Sequence, residues 1–181
     1  MQRIRKDQLL GKLDLLVLRI LSCGESMHGY AIAERIELLS GNVFQVGIRS
    51  PVYDAADVPN NAAIVHRTYT TEDVDAQGYR PIADQILSEI GNQPVYVSVD
   101  IDVLDPAFAP GTGTPEPGGL TSRELVHFLR ELHRVNVVGF DVVEVAPQYD
   151  HMGQVTALAA ANAFFEAMSA VAKRRRGAAP Q

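Results

Sequence analysis

Residues 95–119 read VYVSVDIDVLDPAFAPGTGTPEPGG. The stretch begins with apolar residues that barely alternate, which is typical of a strand covered on both faces in a parallel sheet. Asp100 and Asp102 follow directly, and in an extended segment their spacing directs both carboxylates to one side. Converging carboxylates repel each other unless a hard cation lies between them, and such oxygen ligands suit manganese or magnesium. Spacing alone leaves open a second interpretation, in which one aspartate caps a turn and the other faces water.

Short apolar runs on either side of this stretch alternate with helical patterns. The runs that predict strands lie at 43–48, 62–66, 95–99 and 137–145. Apolar residues at helical spacing predict helices near 82–90, 121–132 and 156–173. Thr121 and Glu124 form a capping box at the start of the second of these helices. The alternation predicts an α/β fold with right-handed crossovers, a parallel sheet, and ligands just beyond the carboxyl ends of the strands.

The two ends of the chain have a different character. Apolar positions within 9–21 fall on one helix face, and a second helical pattern at 28–39 ends at a Ser-Gly-Asn stop. We therefore predict an α-helical hairpin over residues 1–43, ahead of the α/β part. The basic residues at the other end predict a disordered tail over 174–181.

Composition restricts the class of protein. The 181 residues are 46% hydrophobic and carry a net charge of -6, which is typical of one globular domain and argues against a nucleic-acid partner. The single cysteine cannot form an internal disulfide, and no leader opens the chain. The segment 9–21 is too short and too charged to span a bilayer. We expect a cytoplasmic protein with no membrane role.

The motifs of the middle of the chain resemble those of a known enzyme family. Residues 98–106, SVDIDVLDP, and 109–115, APGTGTP, resemble the signature of the ureohydrolases, the manganese-dependent arginase and agmatinase family. Residues 138–147, VGFDVVEVAP, and 46–50, VGIRS, resemble the neighbouring strands of that family. The resemblance covers the family's carboxyl-terminal part, about residues 44–173, and is closer on the agmatinase side. It implies a partial three-layer parallel sheet of ureohydrolase type.

The resemblance also implies a reaction and the residues that perform it. Asp100 and Asp102 are the implied ligands of a binuclear manganese site, and Glu144 is the implied acceptor of the substrate guanidinium. Thr114 and Asp141 are implied supporting residues. The implied reaction is hydrolysis of a small guanidinium compound, such as agmatine, to urea and an amine, with water activated by the metals. Simpler alternatives stay open: Glu144 could pair with an arginine, Thr114 could be a turn residue, and Asp141 could cap a helix.

The histidine ligands of that family are absent from the chain. The family completes its metal site with histidines from Gly-Gly-Asp-His and Asp-Ala-His-x-Asp segments, both upstream of the strand matched by 46–50. None of the chain's five histidines lies in such a segment: His28, His66, His127, His133 and His151. Only His151 is expected near the site. We therefore predict an incomplete manganese site and a chain that is inactive alone.

The amino-terminal segment resembles another family. RIRKD at 3–7, LDLLVL at 13–18 and MHGYAIA at 27–33 resemble the start of a PadR-type winged-helix regulator, whose recognition helix and wing do not follow. The alternative function is thus a DNA-binding or dimerising regulator fragment, and an amphipathic hairpin packed on the α/β part is a simpler interpretation. Residues 44–47 suit both families, so we hypothesise a fusion of two truncated genes. Missing strands would expose a sheet edge and apolar helix faces, which predicts a homo-oligomer.

Overall fold

The computed structural model of the chain describes residues 43–49 and 65–178. The predicted helical hairpin and the PadR-like segment, up to residue 42, lie outside the described residues, as does the first half of the strand predicted at 62–66. Every residue predicted above to bind metal or to act in catalysis lies within the described part.

Strands and helices alternate along the described residues, as the sequence predicts for an α/β fold. The strands are β1 (Val43–Ile48), β2 (Val65–Thr70), β3 (Pro94–Asp100) and β4 (Asn136–Val143). The α-helices are α1 (Thr71–Gln77), α2 (Tyr79–Ile90), α3 (Ser122–Arg130) and α4 (Val155–Ala178). Short 3-10 helices lie at Ile101–Val103, Glu131–Arg134 and Pro147–Tyr149.

The strands pair in parallel, but the described strands form two separate sheets. β1 pairs with β2, and β3 pairs with β4. The pairing confirms the predicted parallel sense, whereas a single continuous sheet is not found in the described ranges. Each of these strands therefore has one edge without a partner strand in this part of the chain.

Two capping boxes start helices in the described part of the chain. The hydroxyl of Thr121 accepts a hydrogen bond from the Glu124 amide at 3.2 Å, and the Glu124 carboxylate accepts one from the Thr121 amide at 2.7 Å. This box confirms the predicted start of α3. Thr70 and Asp73 form a second box at the start of α1. α1 was not predicted from the sequence, because it follows β2 without an intervening loop.

The core extends from the helices to the turn after β3. The largest fully buried apolar side chains are Ile82, Ile101, Leu104 and Leu129. α4 packs on α3 and β4 with a face of small residues, which are Ala160, Ala163, Ala167 and Ala170. Phe164 of α4 meets Phe140 of β4 edge to face, with ring centroids 5.3 Å apart. The turn that carries Asp102 therefore rests on the core.

The opposite face of α4 is apolar and exposed. Its large members, Leu158, Phe165 and Met168, are 63%, 61% and 63% exposed. Together with the exposed residues Ala161 and Ala172 they form what we call the α4 stripe. Apolar area of this kind on a protein surface is typical of an interface with another segment or chain.

α4 also differs from the sequence-based expectations at its end. Arg174 donates hydrogen bonds to the Arg134 carbonyl at 3.1 Å and to the Asn92 side chain at 2.5 Å. The predicted disordered tail over 174–181 is therefore wrong for residues 174–178, which are helical. By length and composition alone the helix could cross a membrane, since an 18-residue window within Val155–Gly177 has a mean hydropathy of 1.4. Its alanine face, however, packs against α3 and β4 as in a globular core.

The loop after β3 folds back on itself. The Asp105 amide donates to the Leu120 carbonyl at 2.9 Å, and the Leu120 amide donates to the Val103 carbonyl at 2.9 Å. Gly119 lies so close to this turn that a Cβ atom there would be 2.5 Å from the carbonyl carbon of Leu104. Closure of the loop that carries the predicted site residues thus requires glycine at position 119.

We expect Gly119→Ala to lower the free energy of unfolding by about 1–3 kcal/mol, because backbone atoms cannot move aside as a flexible side chain can. Gly113→Ala is the matched control, since a Cβ at Gly113 would meet nothing within 4 Å and its φ is not positive. Urea denaturation followed by circular dichroism measures both variants. Equal stabilities of the two variants would contradict the close approach at Gly119.

Candidate functional site

The two predicted metal ligands, Asp100 and Asp102, lie where β3 ends. β3 ends at Asp100, and the chain turns at once into the 3-10 helix Ile101–Val103, which contains Asp102. Asp100 Oδ1 accepts a hydrogen bond from the Asp102 amide at 3.1 Å. The predicted extended geometry is therefore wrong, because Asp100 caps a tight turn. The two carboxylates still lie close enough for the charge of Asp102 to act on Asp100.

Thr114 contacts the second of these aspartates. Its hydroxyl donates a hydrogen bond to Asp102 Oδ2 at 2.8 Å. The Gly/Pro-rich loop after β3 therefore returns to the turn from which it starts, and one of its hydroxyls holds a predicted ligand. Thr114 is not merely a turn residue, because its side chain fixes one carboxylate oxygen of Asp102.

Glu144 follows β4 at the same edge of the sheet. The β3–β4 register pairs Asp100 with Val143, the last residue of β4. Glu144 comes next in the chain and therefore lies at the same edge as Asp100. Its side chain is exposed, and its φ of 60° lies in the left-handed region, which costs a non-glycine residue about 1–3 kcal/mol. Among the described residues Glu144 pairs with no arginine.

Contacts from the Gly-Thr loop hold the backbone on either side of this turn. Val145, directly after Glu144, forms an antiparallel bridge with Thr112. The Ala146 amide donates to the Gly111 carbonyl at 2.8 Å. The left-handed conformation of Glu144 is thus imposed by its surroundings, and strain of this kind is found most often at functional sites.

The electrostatics of Asp100 bear on the kind of ion that this cluster could hold. Burial raises the pKa of Asp100 to about 7, and the charges of Asp102 and Glu144 contribute to the rise. None of the three carboxylates forms an ion pair within the described ranges. A cation between them would favour the ionised forms. The donor set of Asp100 and Asp102 therefore fits a hard cation such as manganese, as a partial set of ligands.

Asp141 lies on β4 below the carboxylate cluster. It pairs with Ser98 in the register and shares a sheet face with Val143, which pairs with Asp100. Tyr96 donates its hydroxyl to Asp141 Oδ2 at 2.7 Å, while the buried Oδ1 has no hydrogen-bond partner among the described residues. Asp141 lies within a strand and caps no helix, so the alternative role as a helix cap is wrong.

The described histidines do not join the carboxylates. Three of them contact other groups: His66 pairs with Glu89, His127 meets the Tyr79 ring edge to face, and His133 forms a hydrogen bond with the Arg130 carbonyl. His151 is exposed and follows Asp150. The Asp150 carboxylate accepts a hydrogen bond from the His151 backbone amide at 3.0 Å. Across 43–49 and 65–178, no group of three or more His, Cys, Asp and Glu side chains is arranged to hold a metal ion.

Asp150 has a structural role that its sequence context does not indicate. It accepts hydrogen bonds from the Thr156 hydroxyl and the Ala157 amide, each at 3.0 Å, at the start of α4. Thr156 is fully buried, and its hydroxyl also accepts a hydrogen bond from the Gly111 amide at 2.7 Å. These bonds join α4 to the loop that supports the Glu144 turn. The six-residue spacing of Asp150 and Thr156 is not a motif, so only the tertiary contact identifies it.

Comparisons with known proteins define the class to which the chain belongs. The sequence profile of the arginase family matches residues 21–170, and the chain is a member of that family. This confirms the predicted ureohydrolase family, whereas the PadR-type resemblance of the first residues finds no support in the matches.

Individual members of the family are similar to this chain over part of their length. The chain is 50% identical over 117 residues to proclavaminate amidinohydrolase of Streptomyces clavuligerus, which covers 64% of this chain and 37% of that protein. It is 41% identical over 156 residues to putative agmatinase 1 of Schizosaccharomyces pombe, over 84% of this chain and 39% of that protein. The crystal structure of a hypothetical agmatinase from Burkholderia thailandensis superposes with a TM-score of 0.66 at 41% identity, over 75% of this chain and 40% of that one. The chain thus spans about two fifths of the length of these relatives.

The cap at Asp150 generates a pH-dependent prediction. Desolvation alone would raise the pKa of Asp150, but hydrogen bonds from Ala157, Thr156 and His151 hold it below its ordinary value. A carboxylate with a lowered pKa stabilises the fold above its unfolded pKa of about 4, and this contribution is lost as the pH falls through the folded value.

Asp150→Asn is therefore expected to reduce stability at neutral pH and to flatten the loss of stability below about pH 4. Asp75→Asn, at an exposed position of α1, is the control with the same chemical change. Thermal unfolding between pH 3 and pH 7 measures both. If the wild type and Asp150→Asn lose stability in parallel on acidification, the ionised Asp150 carboxylate does not stabilise the fold.

Proposed function

We propose that this chain supplies part of the active site of a manganese-dependent amidinohydrolase, which releases urea from a small guanidino compound of the agmatine type. The observation that carries the proposal is the carboxylate cluster at the carboxyl ends of β3 and β4, made of Asp100, Asp102 and Glu144. Membership of the arginase family and similarity to proteins named agmatinase and proclavaminate amidinohydrolase support it.

The three carboxylates have different proposed roles. Asp100 and Asp102 would hold the metal, and Thr114 would orient Asp102 through their 2.8 Å hydrogen bond. Manganese, when bound, lowers the pKa of water and so supplies the nucleophile for hydrolysis. Glu144 is exposed, makes no ion pair in the described part and would receive the substrate guanidinium, because a carboxylate matches its planar fork of donors.

Asp141, the remaining predicted site residue, would act on the carboxylate cluster indirectly. Asp141 would support the cluster from the sheet, with one oxygen fixed by Tyr96 and the other in need of a donor. Asp100 and Asp102 provide only oxygen ligands, and no described histidine joins them. We therefore propose that the chain is inactive by itself.

Metal binding is the direct test of this function. We expect the wild type to bind Mn²⁺ and the double variant Asp100→Ala, Asp102→Ala to lose affinity by at least the 10- to 100-fold typical of changes around metal ligands. Isothermal titration calorimetry with Mn²⁺ measures the affinities. The double variant Glu72→Ala, Asp75→Ala, which removes two carboxylates from α1, controls for net charge.

Two results would contradict the proposal. One is equal Mn²⁺ binding by the wild type and by the variant without Asp100 and Asp102, which would remove the metal site. The other is rapid urea release by the chain alone from agmatine, arginine or guanidinobutyrate, which would disprove the proposed inactivity of the chain by itself.

We also propose that the chain forms homo-oligomers through the α4 stripe. Its exposed members are Leu158, Ala161, Phe165, Met168 and Ala172. They follow one another at intervals of three, four, three and four residues, which is the spacing of a coiled-coil seam. A seam of this kind is complementary to a second copy of itself. A cytoplasmic location and the absence of nucleic-acid and membrane partners stay predictions.

Replacement of Leu158 and Phe165 by glutamine is expected to convert oligomers to monomers, because it places polar groups within the apolar seam. Light scattering coupled to size exclusion at micromolar concentration measures the mass. Val138→Gln, at a position of β4 that is 45% exposed, is the control for loss of an apolar surface residue elsewhere. A monomeric wild type would refute this part of the proposal.

A further inference from the structure

Arg49, directly after β1, contacts the loop that carries Asp102. Its Nη2 donates to the carbonyl oxygens of Asp102 and Glu116, each at 2.6 Å, and its Nε donates to Glu116 at 3.1 Å. A longer contact of 3.4 Å joins Nη2 to the Leu104 carbonyl. One side chain thus links the turn after β3 to the Pro-rich end of the loop.

The local sequence explains why β1 can approach this turn. Gly47 has a φ of 88°, and a Cβ atom there would lie 2.5 Å from Val103 Cγ2. The register of β1 against β2 shifts between Val46 and Ile48, on either side of this glycine. A side chain at position 47 would move β1 away from the turn and would carry Arg49 with it.

The chemistry of the contact suits arginine and no other residue. A guanidinium presents five N–H donors in a rigid plane, so it can bind several carbonyls at once, whereas lysine offers a single point charge. Within the described part, Arg49 forms no ion pair and its hydrogen bonds go to backbone carbonyls. Its charge also acts on the loop: hydrogen bonds from Ala107 and Gly118 hold the pKa of Asp105 below its ordinary value, and Arg49 contributes to this.

We propose that Arg49 is a positioning residue for the candidate metal site. By holding the carbonyls of Asp102 and Glu116, it fixes both ends of the loop between them. The hydrogen bond between Thr114 and Asp102 closes inside that loop and depends on the ends being fixed. The identity of the ligand rests on the proposed function, whereas the loop geometry does not.

The experiment compares three variants of the full chain. Arg49→Met removes all donors and keeps an apolar stem, Arg49→Lys keeps the charge, and Arg67→Met removes an arginine of β2 that contacts Tyr69 and Glu89 instead. Amide hydrogen exchange at Asp105 and Leu120 measures the closure of the loop without metal. Calorimetric titration measures Mn²⁺ affinity, and urea denaturation measures the stability of each variant.

We expect Arg49→Met to accelerate exchange at Asp105 and Leu120 and to weaken Mn²⁺ binding by about 10- to 100-fold, while Arg67→Met changes neither. Arg49→Lys should recover stability without recovering Mn²⁺ affinity, because it cannot bind both carbonyls in one plane. A residue with only a structural role would recover both together. This second variant also decides the question if Arg49→Met fails to fold.

The proposal is overturned if the amide hydrogens of Asp105 and Leu120 exchange at the wild-type rate in Arg49→Met. It is also overturned if Arg49→Lys recovers stability and Mn²⁺ affinity together. A wild type that binds no Mn²⁺ would instead contradict the proposed function. In that case, the exchange rates of the metal-free loop still decide whether Arg49 fixes it.

Discussion

The convergence of three carboxylates at one edge of a parallel strand pair is the constraint around which the rest of this structure is arranged. The β3–β4 register places Asp100 beside Val143 and so brings Glu144 to the same edge. Burial and the neighbouring charges raise the pKa of Asp100 to about 7. The loops around these carboxylates make the contacts that hold their backbone in place.

Three separate contacts hold this edge of the sheet. Arg49 binds the carbonyls of the loop after β3, and Gly119 permits that loop to close. On the other side, the Thr156 hydroxyl binds the Gly111 amide and is bound in turn by Asp150. None of these residues lies in the carboxylate cluster. The apolar core contributes as well, because the turn that carries Asp102 is built on the buried Ile101 and Leu104.

Sequence reasoning succeeded where the signal is local. A continuous apolar run identified β3, and a capping box identified Thr121 as the N-cap of α3. It failed where local rules compete. The spacing of Asp100 and Asp102 fits an extended strand equally well, and only the hydrogen bond from the Asp102 amide shows that the chain turns there. The end of α4 was missed because contacts of Arg174 with distant residues extend the helix.

The sequence by itself determined the family, the α/β class and the residues of the carboxylate cluster, because these are recorded in short motifs whose letters lie next to one another. Only the tertiary structure decided how Thr114 meets Asp102, why Glu144 adopts a left-handed turn, and that Arg49 holds the loop. Such contacts join residues that lie far apart along the chain. Their geometry depends on how strands and loops pack, and no local pattern specifies that packing.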